Sequence, residues 1–450
     1  MAPLIIDSYT PPVKEKLFTI IDNKAYDITD FVQEHPGGAV IMTQLGIDAT
    51  EAFHCFHPSS TQEILSDYYD AELTKKLGLA ELKESDSSFL KDVRALKEQV
   101  AKEGLFKSNL LFFLLLGLSN LGIFGLSLAI LYIFGGHFLG VIASAMLLGL
   151  FFQQCGWHAH EYLHHQVFES RVMNNWVGGY FFGAICQGFS PLWWKDKHNT
   201  HHAAPNVYTR DPDIDTHPFL AWSENAMELY SELNDQELGS QLKKFMLHNQ
   251  PILFFPLLAI ARLSWCTYSM WFALSNGQLG DSKKMFVPVS PIEPACLFLH
   301  WIIYSWIAVS LPGSWMLSLL FVFVSQVTCG ILLASVFTLN HNGMRVVTSE
   351  DAAKMDFYTL QCETGRDVHP SYFMTWFCGG LNYQIEHHMF PTLPRHNFSL
   401  VSNRVRDLCK KHGVSYHCTG FYEGTMEVLA RLDRVAKTIE KGLKDAPHQD

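Results

Sequence analysis

Two long stretches of the chain carry no Asp, Glu, Lys or Arg, and each is long enough to cross a membrane twice. They run from Ser108 to His160 and from Pro294 to Met344. A membrane-spanning helix needs about 20 apolar residues. Each stretch is also broken by turn-forming residues, at 135–137 in the first and at 311–313 in the second. The pattern therefore predicts four spans in two hairpins, at about 109–134, 138–156, 295–311 and 315–339.

Two further segments are apolar but interrupted. Pro251 to Leu274 contains Arg262, and Trp176 to Trp194 is rich in Gly and Trp. We interpret both as segments lying in the membrane interface. A fifth crossing would place the histidine clusters described below on opposite sides of the membrane.

The regions outside the spans predict separate units. Residues 1–80 predict a small α+β domain, because alternating Phe18, Ile20 and Tyr26 are followed by short helical patterns. Residues 81–107 predict a charged linker helix, which we interpret as a solvated spacer, with a specific docking role as the alternative. Residues 108–430 predict an all-α membrane domain, and 431–450 predict a C-terminal tail.

Composition and charge narrow the possible partners. Of all residues, 48% are hydrophobic and 17% are charged, and the net charge of −11 argues against nucleic acid, which needs a basic face. The opening sequence MAPLIIDSYT lacks the features of a cleavable signal peptide. Lys and Arg lie outside the two hairpins, so the positive-inside rule predicts that both hairpin turns face the lumen. Both termini and the histidine clusters are then cytosolic.

Histidines are clustered at spacings that suit a metal site. Within each cluster the later members lie three or four residues after the first, so they can share a helix face with it. Imidazole is a good ligand for iron, zinc or copper. With four crossings all the clusters fall on one side of the membrane, and so does His341 just after the last span. The clustered residues are His160 and His164; His198, His201 and His202; and Gln384, His387 and His388.

The number of imidazoles exceeds the needs of one ion. Structural zinc takes four ligands and catalytic zinc takes three from the protein, so two metals are implied, and the electron-carrying domain described next favours iron. His158 and His165 point away from the His160 and His164 stripe, and we expect them around the site or at the surface. The remaining histidines, including His137, His217, His248, His300 and His369, are interpreted as packing or surface residues.

Carboxylates adjoin the predicted ligands and could orient them. We expect at least one to hold an imidazole through its second ring nitrogen. The candidates are Glu161, Asp196, Asp213 and Glu386.

The N-terminal domain carries a pair of histidines that suits a haem. His35 opens the sequence HPGG, and His57 follows 22 positions later within DATEAFHCFHPSS. Two imidazoles that approach a haem from opposite faces leave no open site, so such a haem carries electrons. His54 is the alternative second ligand, although we expect it to face solvent.

These residues resemble two known families, which together cover nearly all of the chain. Residues 17–77 are similar to cytochrome b5, through IIDNKAYDITDFVQEHPGG and GIDATEAFHCFHP. Residues 108–420 resemble membrane fatty-acid desaturases with three histidine boxes, here HEYLH, HNTHH and QIEHH. A glutamine opening the third box and a fused cytochrome b5 resemble the front-end subfamily. The stretch QGFSPLWWKDKHNTHHAAPN is most similar to fungal delta-6 acyl desaturases.

The resemblance implies both cofactors and the reaction. It implies haem b held by His35 and His57, and two non-haem irons that act with O₂. It also implies that a new double bond enters between an existing one and the carboxyl end of an acyl chain carried by phospholipid or CoA. NADH-cytochrome b5 reductase is the implied partner, which together with the predicted topology indicates the endoplasmic reticulum membrane. The implied iron ligands are His160, His164, His198, His201, His202, His341, His387 and His388.

One position departs from the family pattern, and several other functions remain open. The first box commonly has Asp where this chain has Glu161. A delta-5, delta-8 or sphingolipid long-chain-base desaturase would share the same features, and a membrane hydroxylase uses related boxes. From another class, a membrane electron-transfer cytochrome would need histidines within its spans to hold extra haems, whereas only His300 lies there, near an end.

Overall fold

A computed structural model of the chain describes residues 16–35, 37–57, 61–79, 87–233, 237–279, 283–284 and 289–445. The strands are β1 (Phe18–Ile21), β2 (Lys24–Asp27), β3 (Gln278–Leu279), β4 (Lys283–Lys284), β5 (Arg366–Val368) and β6 (His417–Thr419). The first ten helices are α1 (Thr50–Phe56), α2 (Thr61–Ser66), α3 (Ala71–Lys76), α4 (Ser88–Lys102), α5 (Leu110–Phe134), α6 (Phe138–Leu163), α7 (Arg171–Asn174), α8 (Pro191–Ala203), α9 (Met227–Ser231) and α10 (Leu238–His248). The others are α11 (Gln250–Ala259), α12 (Ala261–Leu274), α13 (Ile292–Ser310), α14 (Trp315–His341), α15 (Ser349–Ala352), α16 (Phe357–Thr364), α17 (Tyr372–Phe377), α18 (Gln384–Met389), α19 (Phe398–His412) and α20 (Phe421–Asp445).

The N-terminal unit is built on a β-hairpin, as expected for a small α+β domain. Strands β1 and β2 pair antiparallel, and the two residues between them, Asp22 and Asn23, both have positive φ. That conformation matches the twist of a tight hairpin and is tolerated best by Asn, Asp and Gly. Ile21, Tyr26 and Ile28 then pack into the core of this unit.

Four helices are long and apolar enough to cross a membrane, as the sequence predicts. They are α5, α6, α13 and α14, and a fifth crossing is possible if the bent pair α11 and α12 forms one span. The two hairpin turns meet, since the Gly313 amide donates to the Gly135 carbonyl oxygen at 2.9 Å. The two hairpins therefore point in the same direction.

Helices α6 and α14 are longer than predicted. The sequence pattern ends these spans at about 156 and 339, whereas the helices continue to Leu163 and His341. The extra turns contain polar residues, which a sequence pattern places outside the membrane. In the structure His160 and His341 of these turns are buried among other histidines, so the last turns of both helices belong to a buried site.

The segment from Pro251 to Leu274 is bent, and its expected interfacial position stays a prediction. It forms α11 and α12, which are bent by 60°. Arg262, which interrupts the apolar segment, is fully buried and stacks its guanidinium 3.8 Å above the ring of Phe152. It donates to Gln326 Oε1 at 2.6 Å and to the Gln187 carbonyl oxygen at 2.7 Å. The charge is thus accommodated by hydrogen bonds inside the helix bundle.

The segment from Trp176 to Trp194 begins with a π-helix, Asn175–Gln187, that packs against α6. A side chain at Gly178 would collide with Tyr162, so glycine lets the two helices approach closely. Trp176 remains half exposed. Its expected interfacial position stays a prediction.

The linker and the C-terminal segment are more than a spacer and a tail. Helix α4 buries Phe89, Val93 and Val100 in a core shared with α19, which corrects the solvated-spacer interpretation. Residues 431–445 belong to α20, whose Leu432 and Ile439 are fully buried. The last predicted tail residues, 446–450, lie outside the described residues.

Candidate metal centre

The eight predicted ligand histidines meet in one buried region and divide into two groups. The ligand nitrogens of each group lie within 4.8 Å of one another. The five-histidine cluster contains His160, His164, His198, His202 and His387, and the three-histidine cluster contains His201, His341 and His388.

Helices α8 and α18 each supply both clusters. His201 and His202 are consecutive on α8, and His387 and His388 are consecutive on α18. Successive residues of an α-helix point about 100° apart, so each pair sends one imidazole to each cluster. Helix α8 begins at a cap in which the Ser190 hydroxyl accepts from the Trp193 amide at 3.0 Å.

The ligands that do not belong to α8 or α18 lie at the ends of two long helices. His160 lies in the last turn of α6, His164 caps that helix, and His341 is the last residue of α14. Rigid helices therefore position every histidine of the two clusters, which gives the site a fixed geometry before any ion binds.

Close approaches between ring nitrogens support shared ions. His198 Nε2 lies 2.9 Å from His164 Nε2 and 3.0 Å from His202 Nε2, and His341 Nε2 lies 3.1 Å from His388 Nε2. Nitrogens bound to one ion at about 2.0–2.1 Å must come about this close. The rings of His202 and His388 stack at 4.0 Å and so join the two clusters.

The second nitrogens of the three-histidine cluster are all held. His201 Nδ1 donates to Asp211 Oδ2 at 2.9 Å, His388 Nδ1 to Gln361 Oε1 at 2.7 Å, and His341 Nδ1 to a backbone carbonyl at 2.9 Å. Such bonds fix the ring and leave Nε2 for the metal. Gln384, the first residue of the third box, also reaches this cluster, with its Nε2 2.7 Å from His341 Nε2.

The five-histidine cluster contains buried nitrogens without partners. Neither ring nitrogen of His160 has a hydrogen-bond partner among the described residues, and the same holds for Nδ1 of His202 and of His387. A buried polar atom normally has a partner. An ion in this cluster would give Nε2 of His160 a partner, so the donor set fits an ion of the kind that imidazole binds.

The charge state of the ligands suits metal binding. Burial lowers the pKa of His198, His202, His387 and His388 well below the usual value, and a metal takes the neutral imidazole. Burial alone would lower the pKa of His201 as well, but the carboxylates of Asp211 and Asp213 raise it.

Two of the four candidate carboxylates make contacts other than those expected. Glu161 forms a buried ion pair with Arg395, with Nε and Oε1 2.6 Å apart. Glu386 accepts from the Tyr416 hydroxyl at 2.9 Å, and the same hydroxyl contacts Asp367 at 2.6 Å. Neither of these contacts involves an imidazole.

The carboxylate that holds His201 was not predicted. The predicted carboxylate, Asp213, lies 3.7 Å from His201 Nδ1 and 3.2 Å from Lys197. Asp211, two positions earlier, is fully buried and closer. The acidic sequence DPDID was the only available signal. Asp196 lies in α8, where its carbonyl oxygen accepts from Thr200.

The two histidines set apart from the first box stay outside both clusters. His158 is buried and its ring lies 4.6 Å from that of Phe182. His165 follows the end of α6 with a positive φ of 60°.

The haem candidates face each other in the N-terminal unit. The ring centroids of His35 and His57 are 6.0 Å apart, a spacing that two iron–nitrogen bonds of about 2 Å and two half-rings would fill. His57 Nδ1 contacts the Phe53 carbonyl oxygen at 3.0 Å, and His35 Nδ1 contacts that of Gly38 at 3.3 Å. Both Nε2 atoms are thus left for an iron. His54 instead binds Asp22 at 3.0 Å.

The environment of this pair fits a haem in two further respects. Burial lowers the pKa of His57 to about 4, so its imidazole is neutral. A side chain at Gly37 would lie 2.6 Å from the His35 ring. The absence of a side chain at Gly37 therefore leaves room for the His35 ring.

Comparison with known proteins agrees with this architecture. Residues 136–420 match the family model "Fatty acid desaturase", and residues 12–74 match "Cytochrome b5-like Heme/Steroid binding domain".

The similar proteins include three named desaturases. The "Acyl-lipid (9-3)-desaturase" of Physcomitrium patens is 39% identical over 93% of this chain and 75% of its own length. The "Delta(6)-fatty-acid desaturase fat-3" of Caenorhabditis elegans is 33% identical over 93% and 96%. The "Delta(8)-fatty-acid desaturase" of Euglena gracilis is 34% identical over 93% and 95%.

The cytochrome b5 unit implies haem, and the histidine clusters of a desaturase imply a di-iron centre that uses O₂. The chain belongs to the front-end fatty acid desaturases with a fused cytochrome b5 domain.

Proposed function

We propose that this chain introduces a cis double bond at the delta-6 position of an 18-carbon polyunsaturated acyl chain carried by a lipid. The observation that carries the catalytic part is the pair of adjoining histidine clusters at the ends of apolar helices. The names of relatives support the position and the carrier, since they include an acyl-lipid (9-3)-desaturase and a Delta(6)-fatty-acid desaturase. Delta-5 and delta-8 positions and a CoA carrier are the alternatives.

The eight histidines are proposed to hold two irons, one in each cluster. Two irons bound there would supply, with O₂, the redox chemistry that removes hydrogen from unactivated CH₂ groups, which acid or base groups cannot do. Asp211 and Gln361 fix the rings of His201 and His388 through Nδ1. Burial of all eight side chains excludes bulk water from the reacting centre.

The acyl chain is proposed to reach the irons from the apolar core of the spans. Trp194 belongs to that core, stacks on His198 at 4.2 Å and meets His160 edge to face at 5.5 Å. It therefore joins the apolar region to the five-histidine cluster. An apolar path that ends at fixed irons would set the position of the new bond by distance from the head group.

NADH-cytochrome b5 reductase is the proposed electron donor, and the endoplasmic reticulum membrane the proposed location. Both termini and the metal centre would face the cytosol. Glycosylation reporters fused after residues 170 and 290 test this orientation. Both should remain unmodified, and a modified reporter at one of these positions would contradict the four-span topology.

The function is tested by expression in a host that lacks polyunsaturated lipids. After feeding an 18-carbon 9,12-diene, mass spectrometry should locate a new double bond at carbon 6, and pulse labelling should find it first in phospholipid. His201→Ala should abolish the product, because one cluster loses a ligand. His248→Ala is the matched control, because His248 is exposed and paired with Glu440.

Other outcomes reject parts of the proposal. A new double bond at carbon 5 or 8 rejects the delta-6 position. A hydroxylated chain indicates a hydroxylase, and modified long-chain bases indicate a sphingolipid substrate. Metal analysis should give one haem and two non-haem irons per chain. Several haems without other iron would reject a desaturase.

A further inference from the structure

The haem-binding unit lies directly against the metal centre. Phe56, next to His57 in sequence, meets the ring of His202 edge to face with centroids 6.2 Å apart. Cys55, one residue earlier, is buried, with its Sγ 3.7 Å from the carbonyl oxygen of Met389. Met389 follows His388 in sequence. A haem-ligand segment thus touches both metal clusters through neighbouring residues.

Several polar contacts hold the haem-binding unit in this position. Arg94 on α4 pairs with Glu51 on α1, with Nε and Oε1 2.7 Å apart. Lys97 donates to the His54 carbonyl oxygen at 2.9 Å, and Arg210 donates to that of Thr43 at 3.4 Å. Glu51 is buried, and contacts to two separate parts of the chain, α4 and the loop that contains Arg210, oppose rotation of the unit. The docked position is therefore specific.

The contact point of Phe56 is also the point where the clusters join. His202 belongs to the five-histidine cluster and His388 to the three-histidine cluster, and their rings stack at 4.0 Å with 10° between their planes. An electron that arrives at His202 is thus next to ligands of both metal positions. Phe56 also meets the ring of Phe357 edge to face, with the two ring centroids 6.4 Å apart.

We propose that electrons pass from the haem through His57 and Phe56 to the stacked pair of His202 and His388, and that Phe56 is a positioning residue for this transfer. In each transfer one haem Fe(II) becomes Fe(III) and one iron of the di-iron pair goes from Fe(III) to Fe(II). A flavoprotein reductase that oxidises a reduced nicotinamide reduces the haem again. Two such electrons, two protons from water and two hydrogens from the acyl chain convert one O₂ into two H₂O. The inference rests on the proposed iron ligands.

The first test follows the haem and not the product. Full-length holoenzyme with reduced haem is mixed with oxygenated buffer and substrate, and haem reoxidation is recorded by its absorbance. Phe56→Ala should lose the fast, substrate-dependent phase, because a gap replaces the ring. Its haem spectrum, midpoint potential and reduction by the reductase should be unchanged. Tyr69→Ala is the matched control, since Tyr69 is a half-exposed aromatic residue of the same unit, and it should behave as wild type.

A wild-type fast phase in Phe56→Ala with haem bound would overturn the proposal, and so would an equal loss in Tyr69→Ala. If Phe56→Ala fails to retain haem, Glu51→Gln decides, because it weakens docking without touching the haem ligands. It should also lose the fast phase, and a wild-type rate in this variant would overturn the docked route.

The second test does not depend on activity. Thr43→Cys with Arg210→Cys places two thiols across the interface, where a short bis-maleimide should link them within one chain, as detected by peptide mass spectrometry. Each single variant is the control for links to native cysteines. Absence of the link would overturn the docked arrangement. A link together with an inactive wild-type enzyme would reject the proposed function and leave the docking intact.

Discussion

Asp211→Asn isolates the effect of a single carboxylate on the metal centre. Asp211 Oδ2 accepts from His201 Nδ1 at 2.9 Å and from the backbone amide of Asn206 at 2.7 Å. Its Oδ1 accepts from the backbone amide of Asp213 at 2.8 Å. Asparagine keeps the shape but replaces one acceptor oxygen with a donor NH₂. At least one of the three donors must then lose its partner.

The expected magnitude follows from burial. Asp211 has no exposed surface, so a donor left without a partner costs about 1–3 kcal/mol. Loss of a carboxylate that orients a metal-bound imidazole typically lowers metal affinity or activity about 10–100-fold. We therefore expect iron affinity of the three-histidine cluster to fall within that range. Asp213→Asn is the control, because Asp213 is partly exposed, pairs with Lys197 and lies farther from His201.

The assay is a chelator titration of the purified protein, with iron content measured after equilibration and product measured in parallel. Asp211→Asn should release iron at lower chelator concentration than wild type, and Asp213→Asn should shift the curve much less. Wild-type iron retention by Asp211→Asn, with loss of iron in Asp213→Asn, would refute the role given to Asp211.

Three further changes test other contacts. Glu161→Ala should destabilise the protein by about 3–5 kcal/mol, because it leaves Arg395 buried and unpaired, whereas adding Arg395→Met should recover much of the loss in thermal unfolding. Burial, with a neighbouring carboxylate, raises the pKa of Glu386 well above the usual 4.5. The protonated carboxyl therefore stabilises the folded protein fully below pH 4.5, and this stabilisation is lost as the pH rises through the raised pKa. The melting temperature of Glu386→Gln should therefore increase relative to that of wild type as the pH rises, and a difference that stays constant with pH would contradict this. Gly178→Ala should cost about 1–3 kcal/mol in the same measurement through the collision with Tyr162, while Gly239→Ala, with no neighbour near its added carbon, should be neutral or stabilising.

Absence of charge made the spans predictable, but the residues at their ends required the three-dimensional structure. Charged residues are costly in lipid, so two uncharged stretches indicate two helical hairpins. The same reasoning could not predict that Arg262 is buried, because its hydrogen-bond partners come from helices distant in the sequence. Helix α4 shows a related gap. Its apolar residues have helical spacing in the sequence, but the surface of α19 that they cover becomes adjacent only after folding.

Histidine spacing predicted which ligands share a helix face, but not how they divide between two ions. That division depends on where α8 and α18 lie relative to one another, since consecutive residues such as His201 and His202 serve different clusters. Asp211 could not be chosen over Asp213 from sequence. The loop before it contains Asn206 in a left-handed conformation, and the backbone amide of Asn206 donates to the buried Asp211 carboxylate.

The extension of α6 and α14 past the apolar core makes their length part of the catalytic design. One residue inserted in the second half of α6 would rotate His160 and His164 by about 100° and raise them by about 1.5 Å. The other ligands would stay where they are, so the five nitrogens could no longer converge. Sequence drift in these helices is therefore restricted to substitutions, and insertions and deletions should be confined to the loops between them.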